Sequence, residues 1–297
     1  MGIATLTKSA ELLSPELHVV TDEELQQLHC ILLEMANDIA QVCRENNIPW
    51  ILTGGSALGA VRHKGFIPWD DDMDLSMFRE GFVRFKALFP EKYPDKYELK
   101  LPGDEGYLYH FPKIYRKNTT VLNIQSAQNT HECVSVDIFI MENASDNKAV
   151  RSIHGLVCTA LLIVASVMRM KRCEHNLLKY GANSKRLCAA VKKRAFFSAF
   201  FSFLTLEQWL EITDKVFSLC KDSASVYIVI PSGNGHYFGE LFLREKMRTV
   251  KQASFEGEQY FLPEDPDYYL RIRYGEDYMR IPPINAQEKH AFIYFNI

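Results

Sequence analysis

From Thr21 onward the apolar positions recur with a helical period. Leu25, Leu28, Leu32, Met35, Ile39 and Val42 fall three or four residues apart, up to Asn46-Asn47. Thr21 and Glu24 have capping-box spacing, so the pattern predicts a helix opening at Thr21. Residues 48–52 are a short apolar run after that stop, which predicts a buried strand leading into Gly54-Gly55-Ser56. A short helix over 57–62, a turn at Lys64-Gly65, a second strand over 66–77 and a helix over 80–89 follow. Residues 107–123 alternate weakly and read as strand with a turn at 116–118. In 133–141, Val134, Val136, Ile138 and Ile140 are β-branched and alternate, which predicts a strand. Residues 150–222 read as helix throughout. Residues 250–255 and 258–262 flank Glu256-Gly257 as a hairpin, and Pro266 and Gly275 bracket a helix through 268–274.

Composition narrows the class. The chain has 297 residues, 47% of them hydrophobic, which is enough for a real core in one large domain or two modest ones. With 19 Phe and 14 Tyr it carries far more apolar area than a disordered chain. Seven cysteines, odd in number and without a CxxC pair, argue against a disulfide framework or a zinc knuckle and for thiols packed as small core residues. Residues 1–8 lack an apolar run after a basic start, and Leu6 stands where a myristoylation signal needs Ser or Thr, so a cytoplasmic protein is expected. The net charge of -3 offers no bulk attraction to nucleic acid, but it hides an asymmetry. Residues 169–194 hold nine Lys or Arg against Glu174 alone, a local +8 that leaves -11 for the rest.

The sharpest chemical feature is Pro68-Trp69-Asp70-Asp71-Asp72-Met73-Asp74-Leu75. If 66–77 is a strand, Asp70, Asp72 and Asp74 share a face. Carboxylates ~5 Å apart at an effective dielectric of ~20 repel by roughly 3 kcal/mol per pair, so such a ladder asks for a cation. Oxygen-only ligands suit Mg²⁺ or Mn²⁺. A solvated acidic loop is disfavoured by the flanking Trp69 and Met73. An EF-hand fails because Leu75 stands at the required glycine and Gly81 at the bidentate glutamate. The Gly54-Gly55-Ser56 turn would let backbone approach a phosphate at a helix N-terminus, although an isolated turn of this kind is usually structural. It is neither a Walker A loop nor a nucleophile elbow. Asp137, in the 133–141 strand, is costly to bury unless paired or metal-bound, and reads as a third ligand or a general base. Arg62, His63 and Lys64 lie between turn and acid cluster and could neutralise phosphate or simply be solvated. Lys113 and His290 are weaker candidates.

These residues carry a resemblance. Residues 54–75, Gly-Gly-Ser-Ala-Leu-Gly-Ala-Val-Arg-His-Lys-Gly-Phe-Ile-Pro-Trp-Asp-Asp-Asp-Met-Asp-Leu, resemble the hallmark of the LicD family of phosphotransferases. Ser135-Val136-Asp137-Ile138-Phe139 is similar to its second motif. Phe255-Glu256-Gly257, Tyr274-Gly275, Tyr278-Met279, Pro282-Pro283 and His290 resemble its C-terminal pattern. The likeness runs with gaps over residues 22–291 and includes nothing recognisable in 150–222. It implies an α+β, nucleotidyltransferase-like fold, a mixed sheet core flanked by helices, in a single catalytic domain over 1–297 with 150–222 as a helical insertion. It also implies that Gly55 and Ser56 touch the phosphates of a CDP-linked donor, and that Asp72, Asp74 and Asp137 form the metal and catalytic set. LicD-like enzymes transfer phosphocholine or a related phospho-alcohol to cell-surface glycans, and fukutin and fukutin-related protein add ribitol phosphate. The acceptor class thus spans teichoic acid, capsule polysaccharide and lipopolysaccharide precursors, lipid-linked ones included. A nucleotidyltransferase that moves an NMP onto a small hydroxyl compound, and a non-catalytic glycan- or lipid-binding scaffold, are the alternatives.

Two explanations compete for residues 155–206. Phe196, Phe197, Phe200, Phe201 and Leu204 would share one helical face just after Lys192-Lys193-Arg194. They predict either a buried helical subdomain with a solvated basic loop, or an interfacial hairpin on an anionic membrane at the inner face of the plasma membrane. Nucleic-acid binding lacks any motif.

Overall fold

Thr21 does cap a helix. Its hydroxyl accepts from the Glu24 amide and the Glu24 carboxylate accepts from the Thr21 amide, closing the box. In the computed structural model, which describes residues 14–128, 132–248, 250–284, 287 and 291–297, this helix is α1 (Asp22–Glu45), preceded by β1 (His18–Val19). There follow β2 (Trp50–Leu52), α2 (Gly54–Arg62), β3 (Asp74–Phe78), α3 (Arg79–Lys92), β4 (Tyr97–Lys100), β5 (Lys113–Arg116), β6 (Thr120–Asn123) and β7 (Ser135–Ala144). The helical region is α4 (Lys148–Tyr180), α5 (Lys185–Phe197), a 3-10 turn (Ser198–Phe201) and α6 (Leu206–Phe217). Then come β8 (Tyr227–Val229), α7 (His236–Gly239), β9 (Leu241–Leu243), α8 (Arg244–Arg248), β10 (Val250–Phe255), β11 (Glu258–Pro263), α9 (Pro266–Tyr274) and β12 (Ala291–Asn296).

The main sheet has the order β2-β3-β7-β5-β4, and β8 and β9 extend it from the far half of β7. β7 is the axis: it runs parallel to β3 and antiparallel to β5 and β8. Alternation then sorts the side chains. Leu75, Met77, Val136, Ile138 and Ile140 enter the central core with Met35, Ile39 and Leu52. Asp74, Asp137 and Lys113 are left to the other face. A second core joins Tyr107, Tyr109 and Tyr115 to Leu177, Leu187, Val191 and Leu210, so α4, α5 and α6 pack on the β5 side of the molecule.

The structure corrects two local expectations. The glycines of 54–55 form the first turn of α2 instead of preceding it. The strand expected over 66–77 is regular only from Asp74 to Phe78. The chain turns at Pro68-Trp69, the Asp70 amide donates to the Ile67 carbonyl, and His29 Nε2 lies 2.7 Å from the Asp70 carbonyl. In a strand Asp71 would point away from Asp70 and Asp72, whereas here the three carboxylates converge. The ladder along one strand face is therefore replaced by a knot just before the strand. The segment 113–123 does break at Lys117-Asn118, but its halves join different sheets, β6 pairing with β12. Among the described residues all seven cysteines are free. Cys43, Cys158 and Cys173 are buried, but Cys30 is exposed and the others half-buried, so only some are core residues.

At the end of β3 remote from Asp74, Arg79 is pinned between Glu142, Nε to Oε1 2.9 Å, and Asp214 at 2.8 Å, tying β7 to α6. Glu142 is almost fully buried. Arg79→Met removes its partner, and a loss of about 3 kcal/mol in unfolding free energy is expected in a denaturant titration.

Candidate active site

Parallel register places Asp74 opposite Asp137, and antiparallel register places Asp137 opposite Lys113. Three charged side chains therefore lie in one row across β3, β7 and β5. Lys113 Nζ sits 2.7 Å from Asp137 Oδ1, with both side chains nearly buried. Burial pulls the ammonium's pKa down, but Asp137, Tyr109 and Glu132 together outweigh it and the net shift is upward. For Asp137, burial pushes the carboxyl up and Lys113 opposes it. Lys113 also lies 4.5 Å over the ring of Tyr109, whose hydroxyl donates to Glu132 at 3.1 Å.

Asp70, Asp71 and Asp72 each present an oxygen within 4.8 Å of the others. Asp72 reaches the surface, at the mouth of a 170 Å³ cleft also lined by Asp71, Lys113, Glu132 and Asp137. Crowding by protein atoms, and then by Asp70, Asp74, Asp71 and Asp137, raises its pKa well above the usual carboxylate range. Asp74 is raised in the same way, by burial and then by Asp137 and Asp70, with Lys113 and Arg273 pulling against it. Asp70, Asp71, Asp72, Asp74 and Asp137 form an oxygen-only donor set, and that set fits a hard divalent cation.

The N-terminal turn of α2 closes on these acids because it lacks side chains. A Cβ on Gly54 would fall 2.0 Å from Asp74 Oδ2, and one on Gly55 2.4 Å from Asp70 Oδ2. Gly54 also has φ of +53°, which L side chains rarely adopt. Ser56 is buried and its hydroxyl accepts from the Asp74 amide at 2.9 Å, fixing helix to strand. Gly54 and Gly55 therefore lie against the Asp74 and Asp70 carboxylates, with Ser56 tied to the Asp74 backbone.

Arg62, His63 and Lys64 are engaged elsewhere, although the Asp70 charge acts on the Arg62 guanidinium, which lies 5.9 Å over the Trp69 ring. They lie at the opposite end of α2, a nine-residue helix about 13 Å long. Arg62 donates to the Tyr278 and Arg280 carbonyls and to His63, and Lys64 to the Val61 carbonyl. Backbone acceptors at that end satisfy these donors, so they brace the C-terminal segment. His290 lies outside the described residues.

Sequence reasoning missed the supports behind the site. Tyr269 Oη accepts from the Gly54 amide at 2.8 Å. Arg273 lies one helical turn further along α9 and pairs with buried Glu240 at 2.9 Å. It lines a 20 Å³ cavity with Gly54, Asp74 and Tyr269, where its Nε has no partner. Their i, i+4 spacing on the expected 268–274 helix was the available signal, but nothing in the sequence aimed that face at residue 54. His29, which stacks on Phe66 at 4.1 Å and holds the acid knot, gave no signal at all.

Residues 47–154, which contain the glycine turn, the acid knot and the charged row, match the family model described as LicD/FKTN/FKRP, nucleotidyltransferase domain. Over 270 residues, 89% of this chain and 94% of the relative, the chain is 26% identical to the lipopolysaccharide cholinephosphotransferase LicD of Haemophilus influenzae. Shorter likenesses, 35% identical over 69 and 60 residues, are to uncharacterized proteins of Rickettsia typhi and Rickettsia prowazekii and cover 22% and 23% of those proteins. The carboxylates and the glycine-opened helix thus lie within the segment, residues 47–154, that is similar to the LicD/FKTN/FKRP nucleotidyltransferase domain.

Proposed function

We propose that this enzyme transfers a phospho-alcohol group, phosphocholine or a similar one, from a CDP-activated donor to a sugar hydroxyl of a cell-surface glycan precursor. The work would take place in the cytoplasm, in one catalytic unit spanning the chain with 150–222 as a helical insertion. The observation that carries the reading is the cluster of Asp70, Asp71 and Asp72 beside the Asp74–Asp137 pair, with Asp70 and Asp74 closing on the glycines of the N-terminal turn of α2. The full-length likeness to a cholinephosphotransferase supports phosphocholine as the group and a glycan as the acceptor.

Each residue has a role under this reading. Asp72, Asp74 and Asp137 would hold Mg²⁺ or Mn²⁺, with Asp70 and Asp71 adding negative charge beside them. When bound, the ion neutralises the donor diphosphate and polarises its phosphorus. Gly54 and Gly55 let the α2 backbone come close to the donor phosphates, and Ser56 fixes that turn to β3. The acceptor oxygen attacks the phosphorus bearing the alcohol, a new P–O bond forms, and the P–O bond to CMP breaks. The acceptor proton passes to the Asp137 carboxylate, and CMP leaves carrying the electron pair. Lys113 keeps Asp137 oriented and ionised until that step. Arg273 offsets the Asp74 charge from behind the site.

The family model is itself that of a nucleotidyltransferase domain, which keeps NMP transfer as a second reading. The product decides between them. Purified protein with Mg²⁺, a glycan acceptor and CDP-choline, CDP-glycerol or CDP-ribitol should release CMP only when acceptor is present. Release of pyrophosphate from a nucleoside triphosphate would favour NMP transfer, and binding of glycan without turnover would favour a scaffold. Asp72→Asn and Asp74→Asn should each lower CMP release by about a thousandfold and abolish the Mn²⁺ binding seen by calorimetry. Full activity in both would remove the site assignment. Gly54→Ala pushes a methyl group into the Asp74 carboxylate, and a loss of about a hundredfold in kcat is expected in the same assay.

A further inference from the structure

Residues 150–206 leave an unusual amount of apolar surface bare. Phe196, Phe200 and Phe203 are 68%, 64% and 72% exposed, and Phe197 43%. The rings of Phe196, Phe197 and Phe200 stand 5.7 to 6.3 Å apart, a knuckle at the C-terminal end of α5. It is held from behind. Val191, Ala195 and Ser198 are buried, the Trp209 indole donates to the Phe201 carbonyl at 3.0 Å, and Phe201 turns inward against Trp209. The single face expected to include Phe201 and Leu204 is thus broken by the 3-10 turn, and Phe203 takes a place in the exposed set.

The adjoining helix repeats the feature. α4 is long and apolar enough by composition to cross a membrane. One side of it is committed to protein, however. His154 Nε2 lies 2.7 Å from the Val216 carbonyl, and a Cβ on Gly155 would collide with Tyr237 and Phe238. Its other side bares Val150, Ile153, Leu156, Val157 and Ile163 at helical spacing. A helix packed along one face and greasy along the other suits an interface between water and lipid better than a bilayer span.

The basic block is also sorted by the fold. Arg169 points inward over the Tyr109 ring at 4.4 Å, Lys171 pairs with Glu174, Arg172 with Glu207 and Lys179 with Glu16. Lys185, Arg186, Lys192, Lys193 and Arg194 have no acidic partner among the described residues. All five lie on α5, the helix that ends in the knuckle.

We propose that α5 and its phenylalanine knuckle dock the protein on an anionic lipid surface. Phe196, Phe197, Phe200 and Phe203 enter the headgroup boundary while the α5 cations meet lipid phosphates. Free lysines beside exposed aromatic rings fit this occupant, because the cores of protein–protein interfaces are depleted in lysine. A two-fold dimer through the same face would set the α5 cations against themselves. The inference does not depend on the catalytic reading.

Vesicle flotation tests it. The full chain should float with phosphatidylglycerol-containing vesicles at low salt and much less with phosphatidylcholine alone. Phe196→Ser combined with Phe200→Ser should weaken binding by about tenfold, and each of Lys192→Gln and Lys193→Gln by about fivefold. Unchanged thermal midpoints in these exposed-site variants would show that the fold is intact. No flotation at low salt overturns the proposal, as does binding indifferent to the Phe substitutions. So does a stable dimer in light scattering that the Phe substitutions dissolve and that ignores vesicles.

Discussion

Everything around the candidate site is arranged against the mutual repulsion of its carboxylates. Five of them gather around the start of β3 and β7, and their neighbours raise the cost of ionising Asp72, Asp74 and Asp137. The fold answers with charge placed from several sides. Lys113 lies beside Asp137 in the sheet, Arg273 lies behind Asp74, and the first turn of α2 comes close enough to face both Asp70 and Asp74. A divalent ion would add the remaining countercharge, which is why the arrangement reads as a phosphoryl-transfer site and not as an accident of surface composition.

That arrangement depends on the sheet. A parallel β3–β7 pair and an antiparallel β7–β5 pair set Asp74, Asp137 and Lys113 in one row, while alternation sends Leu75, Met77, Val136 and Ile138 into the core. A slip of one residue in either pairing would bury the charges among the core aliphatics. The hydrophobic core therefore holds the register of this charged row, and the Glu240–Arg273 pair and Tyr269 hold the helix that faces it.

Much of this was legible beforehand. The capping box at Thr21, the β7 alternation, the Glu256-Gly257 hairpin and the Pro266–Gly275 bracket are local features, and each produced the element it signalled. The acid cluster and the glycine turn were identified for chemical reasons that the structure leaves in place. What misled was extending strand periodicity back to residue 66. The apolar residues Phe66, Ile67 and Met73 are buried, yet they reach the core from a turn held by His29, whose contribution is 41 residues distant. Arg62 and Lys64 sit at the far end of α2 from the glycine turn, where backbone carbonyls accept their hydrogen bonds.

Local pattern and composition thus determined the main helices, the β7 strand and the β10–β11 hairpin, which acidic residues cluster in the chain, and that opposite charges are segregated along it. Only the tertiary structure decided which carboxylates meet, which cations of the 169–194 block are spent on internal partners, and which phenylalanines stay in water. Those outcomes rest on strand register, on turns pinned by distant side chains and on helix-to-helix packing. Such contacts join residues far apart in the chain, and no periodicity within a short window encodes them.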